Sequence, residues 1–87
     1  MTDQLRVLVV DDQPAVVTAL GVLFDLHDIP NRGAASPEEA RRIARDETLG
    51  AVVMDMNFAP HVTSGEEGVE LFHSLREIDP DLPIVVI

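Results

Sequence analysis

Two short apolar runs, each ending on acid, constrain this chain more than anything else in it. Val7-Leu8-Val9-Val10 leads straight into Asp11-Asp12, and Ala51-Val52-Val53-Met54 leads into Asp55. Runs this short that lack polar alternation read as strands covered on both faces, the signature of a parallel sheet. The first strand is expected from Leu5 to Val10, interrupted only by Arg6, and the third from Ala51 to Asp55, introduced by Gly50. A last wholly apolar run, Ile84 to Ile87, reads as a further strand, and Arg32 to Ala35 as a short second one.

The segments between these runs are helical in pattern. Pro14 suits a first helical turn, where its missing N–H costs nothing. Ala15 to Leu26 then carries Val16, Leu20, Leu23, Phe24 and His27 at helical spacing, before Asp28 and Ile29-Pro30 end the helix. Ser36-Pro37-Glu38-Glu39 is a helix start with Ser36 as N-cap, Pro37 at the first position and Glu39 completing a capping box. Ala40, Ile43 and Ala44 form its inner stripe. A long loop runs from Met56 to Thr63; Ser64 caps a third helix, with Glu67 in the box position and Val69, Phe72 and Leu75 facing inward. Asp79-Pro80-Asp81-Leu82-Pro83 breaks that helix.

The resulting order, β-α-β-α-β-α-β, predicts an α/β protein: an open, doubly wound parallel sheet with helices on both faces and right-handed crossovers. The 87 residues make one small domain or part of one. A wholly apolar strand belongs inside a sheet rather than at an exposed edge, so residues 1–87 are expected to be the front part of a larger α/β domain. Six arginines, no lysine and sixteen acids give a net charge of −10, a surface that repels nucleic-acid phosphates and anionic lipid. No apolar run can cross a bilayer, and no basic segment leads into an apolar one at the start. Without cysteine there are no disulfides and no thiolate metal sites, which fits a reducing cytoplasm.

Asp11, Asp12 and Asp55 share one structural address, the carboxyl ends of the first and third strands. In an open α/β sheet that end binds ligands, at the point where strand order reverses. If the two strands are neighbours, the three carboxylates converge. Two unit charges 4 Å apart repel by ~4 kcal/mol at an effective dielectric of 20, so the cluster needs compensation. A hard divalent cation supplies it: Mg²⁺ takes oxygen ligands and readily bridges carboxylates to a phosphate. Such an ion lets a carboxylate approach a phosphoryl donor as nucleophile. The plainer alternative is that the acids only favour nearby helix N-termini through the helix dipole.

Val7-Leu8-Val9-Val10-Asp11-Asp12 followed by a helix, and Ala51-Val52-Val53-Met54-Asp55 followed by a loop and Gly68-Val69-Glu70-Leu71, resemble the receiver domain of two-component response regulators. The resemblance covers essentially the whole chain. It implies a flavodoxin-like fold, here incomplete because the final strand and helices are lacking, with residues 1–87 as the N-terminal part of a single receiver domain. It implies that Asp55 is the phospho-acceptor for a sensor histidine kinase. Asp12 and Asp55 would ligate Mg²⁺ directly, Asp11 mainly through water, and the backbone carbonyl of Asn57 would add a ligand. The domain would promote its own phosphorylation and dephosphorylation as a cytoplasmic signalling switch rather than a metabolic enzyme.

Two departures from the family pattern stand out. Phe58-Ala59 replaces the usual Met-Pro pair, and the stretch to Gly68 is longer; Asp55-Met56-Asn57-Phe58 with Thr63-Ser64-Gly65 looks like the variant found in regulators that activate transcription with the nitrogen-type sigma factor. The chain also has no lysine, and it stops at Ile87, where the family's hydroxyl residue would follow. An isolated 87-residue polypeptide is therefore expected to be unstable or to self-associate through its Ile84–Ile87 edge, unless the natural protein continues.

Two other readings compete. A phosphate-independent, receiver-like dimerisation module remains open. A Mg²⁺-dependent phosphohydrolase of the haloacid-dehalogenase type would want a second Asp two positions after the nucleophile, where Gln13 and Pro14 stand, and a topoisomerase-primase site would want Asp-x-Asp at Asp55-Met56-Asn57. His27 and His73 read as structural or solvated; His61 lies in the loop beside the acids, where it could tune the site. Phe24 and Phe72 fall in core stripes, and Phe58 could cover the site. Arg41, Arg42 and Arg45 form a solvated helix face, and Gly65 and Gly68 make no phosphate-cradling loop.

Overall fold

The computed structural model describes residues 5–55 and 66–87. Its elements follow the expected order: β1 (Arg6–Val10), α1 (Pro14–Leu26), β2 (Asn31–Ala34), α2 (Pro37–Asp46), β3 (Leu49–Met54), α3 (Glu66–Ile78) and β4 (Ile84–Val86). The strands form one parallel sheet in the order β2-β1-β3-β4. Chain order therefore reverses between β1 and β3: α1 carries the chain from β1 outward to β2, and α2 carries it back across β1 to β3.

The core lies on one face of this sheet. Leu8 and Val10 from β1, Ala34 from β2, and Val52 and Met54 from β3 pack against Ala40, Ile43 and Ala44 of α2 and Leu71 and Leu75 of α3. The inner stripe expected for α2 is thus the buried one. Ser36 caps that helix, its Oγ accepting the Glu39 N–H at 3.2 Å. Among the described residues the reciprocal bond of a full capping box is not formed. Arg41 departs from the solvated face expected of it: its Nε donates to Ser74 Oγ at 3.2 Å and ties α2 to α3, while Arg42 and Arg45 are exposed.

The α3 stripe is rotated from the expected one. Leu71 and Leu75 are fully buried and Phe72 half-buried, but Val69 is 44% exposed. Leu71, Leu75 and Ile78 follow the four-and-three spacing of one helix face, and Val69, two residues before Leu71, sits about 200° around the axis from it. Ser64 lies outside the described residues, as does the side chain of Glu67.

Among the described elements, the opposite face carries α1 alone. Ala34 points into the core, so Gly33 beside it points the other way, and a Cβ added there would stand 2.4 Å from Val17 Cγ1 of α1. No α1 residue is fully buried. Phe24 is half-buried rather than core, Leu23 is 48% exposed, and His27 is exposed. The physical reason is coverage: α1 lies over β2 and β1, and none of the described elements packs on its far side. Across this face Val9 is buried, Val53 half-buried and Val85 exposed, a gradient that follows the distance from α1.

Boundaries differ from expectation where turns intervene. Gly50 lies inside β3 rather than before it, Asp55 lies just past its end, and Ala35 has left β2. The α1 helix ends at Leu26, and the chain turns away as expected at Asp28, which takes a positive φ of 57° while the Ile29 N–H reaches back to the Phe24 carbonyl at 2.9 Å. The last strand, expected in a sheet interior, pairs only with β3 among the described residues. No described helix is long and apolar enough to cross a membrane.

Gly33→Ala is expected to destabilise the fold by roughly 1–3 kcal/mol, because the added methyl must displace Val17 and with it α1. A drop in the urea midpoint with an unchanged denaturant slope checks this.

Candidate acidic site and family

The sheet places the expected acids by a stepped set of backbone bonds. The Asp11 N–H donates to the Ala34 carbonyl of β2 at 3.1 Å, and the Asp55 N–H donates to the Val10 carbonyl of β1 at 3.0 Å. Each acid is therefore the residue just past its strand, still held by the neighbouring strand. With Val10 opposite Met54 in the ladder, the two strand ends are level. Asp11, Asp12 and Asp55 consequently converge, each offering a carboxylate oxygen within 4.8 Å of the others.

Their environments differ. Asp11 is buried at 4% exposure, and Asp12 and Asp55 are half-buried. One Asp11 oxygen accepts the Gln13 N–H at 2.9 Å, an Asx turn that aims the carboxylate before α1 begins. Burial pushes the Asp11 carboxyl above its ordinary value of 3.8. The Gln13 N–H opposes that rise, while the charges of Asp55 and Asp12 and a hydrogen bond with Asp12 add to it. Gln13, at the N-cap position of α1, makes no side-chain cap, and the first turn of α1 holds no acid. Asp11 thus serves the turn ahead of the helix, and a pure helix-dipole role leaves its burial beside two other carboxylates unexplained.

The donor set fits a hard cation. All three groups are carboxylates, and the 4.8 Å limit on their separation is close to the about 4.2 Å between opposite ligands of an octahedral Mg²⁺. A small closure, or one water between ion and carboxylate, makes up the difference.

Gln13 is the site residue that sequence reasoning missed. Its backbone contribution was signalled by an Asp two positions ahead of a residue that itself precedes a helix-starting Pro14. Asn57, Phe58, His61 and the Thr63-Ser64-Gly65 run lie outside the described residues. Of the other histidines, His27 and His73 are exposed, His73 standing edge-on to Phe72 at 5.8 Å between centroids.

Comparison with known proteins agrees with this geometry. The model of the response regulator receiver domain matches residues 7–87. The chain belongs to the response regulator receiver family. It is 31% identical over 83 residues to the methanol utilization control regulatory protein MoxX of Paracoccus denitrificans, covering 94% of this chain and 36% of that protein. A response regulator receiver protein from Pseudomonas putida superposes with a TM-score of 0.84 at 28% identity, over 100% of this chain and 69% of that one. A response regulator from Burkholderia pseudomallei, crystallised with a phosphorylated aspartic acid, calcium ion and citrate, superposes at 0.81 with 24% identity, over 97% of this chain and 46% of that one. The flavodoxin-like receiver fold is thereby established, and this chain spans about a third of the length of the regulator MoxX.

A pH dependence follows from Asp11. Its folded-state pKa is raised, so the folded chain binds this proton more tightly than the unfolded chain. Its contribution to stability is fully present below the ordinary carboxylate value and is lost as pH rises through the raised one. In a chelator, Asp11→Asn should abolish that loss and leave the variant the more stable protein near neutrality. Urea unfolding across a pH series checks it.

Proposed function

We propose that this chain is the N-terminal part of a single receiver domain, which accepts a phosphoryl group on Asp55 from a sensor histidine kinase with Mg²⁺ held by Asp11, Asp12, Asp55 and the backbone carbonyl of Asn57. The observation that carries this reading is the convergence of three carboxylates at the level ends of adjacent strands, at the point where strand order reverses. Family membership supports it, as does the likeness to a regulator whose crystal structure contains a phosphorylated aspartic acid and a calcium ion.

In this reading each residue has a distinct task. An Asp55 carboxylate oxygen forms the new bond to phosphorus as the P–N bond of the kinase's phosphohistidine breaks, and the departing imidazole nitrogen takes a proton. Water later attacks phosphorus, releasing phosphate and restoring the carboxylate. The bound ion would offset the negative charge that gathers as carboxylates meet a phosphoryl group. Asp12 would hold the ion beside the acceptor, and Asp11, aimed by the Gln13 N–H, would act on it mainly through water. The phosphoryl group then shifts a pre-existing conformational equilibrium by binding one state better than the other. The protein would act as a cytoplasmic regulator of transcription, in keeping with a relative that is a control regulatory protein.

A second reading is a phosphate-independent interaction module that self-associates through Ile84–Ile87. It is favoured by Val85 and Val86, 53% and 40% exposed on β4, an edge strand among the described residues, and by Ile87 just past it, 62% exposed. Intact-protein mass distinguishes the two. With a small phosphodonor and Mg²⁺, one phosphoryl group should add to the protein, and chelator or Asp55→Asn should abolish the adduct. An adduct that survives Asp55→Asn overturns the assignment of the acceptor. No adduct, together with dimerisation indifferent to Mg²⁺, establishes the interaction module instead.

A further inference from the structure

We draw no further inference here: the strongest candidate, the exposed apolar patch of Val22, Leu23 and Leu26 on α1, on the sheet face that also carries Val85 of β4, carries nothing because nothing in the structure shows what covers it.

Discussion

Parallel pairing of β1 with β3, in the register that sets Val10 beside Met54, decides where every described group of the candidate site stands. A parallel pair aligns carboxyl ends, so residues just past the two strands meet; in an antiparallel pair Asp11 and Asp55 would lie at opposite ends of the sheet. Register is equally decisive. A one-residue slip would turn Val52 and Met54 out of the core and Val53 into it, so burial of that face resists the slip. The hydrophobic core and the acid cluster are thus products of one alignment. The same alignment forces three like charges together, with one of them buried, and that electrostatic cost remains until a cation or a proton relieves it.

The two faces of the sheet are unequal. The α2–α3 face is packed, and Arg41 with Ser74 and Arg76 with the 79–83 loop bind its helices to one another and to the strand that follows. Among the described residues the α1 face is covered only over β2 and β1, leaving Val22, Leu23 and Leu26 of the helix and Val85 of β4 exposed. At the sheet end away from the acids, Glu47 accepts from Arg6 at 2.7 Å and faces Arg32 at 3.5 Å. These partly exposed pairs add little energy, but they place positive charge at the pole opposite the acids of a strongly acidic chain.

Much of this was legible in the residues, for identifiable reasons. Apolar runs without alternation require a doubly covered strand, so β1 and β3 were visible, and Ser36-Pro37 announces a helix wherever it occurs before a periodic segment. Val69 and Leu71 show the limit. Both are apolar and two residues apart, and only the angle at which α3 meets α2 and the sheet selects Leu71 for the core. Leu23 and Phe24 show another, since spacing marks a helix face without revealing how much lies against it. Gly50 read as punctuation, yet parallel pairing extends β3 back to Leu49 through it. For the site, Asp11, Asp12 and Asp55 were readable from their strand-end positions, whereas the Gln13 amide contributes through the backbone and leaves no side-chain signature.

Whether the three carboxylates act together as a cation site is the central question, and a Mg²⁺ titration followed by backbone amide resonances addresses it most directly. Saturable shifts are expected at Asp11, Asp12, Gln13 and Asp55, with silence at Arg6 and Glu47 and loss of the response in Asp12→Asn. Shifts spread over exposed acids such as Glu38, Glu70 and Asp81, or none that saturate at the strand ends, would contradict a shared site.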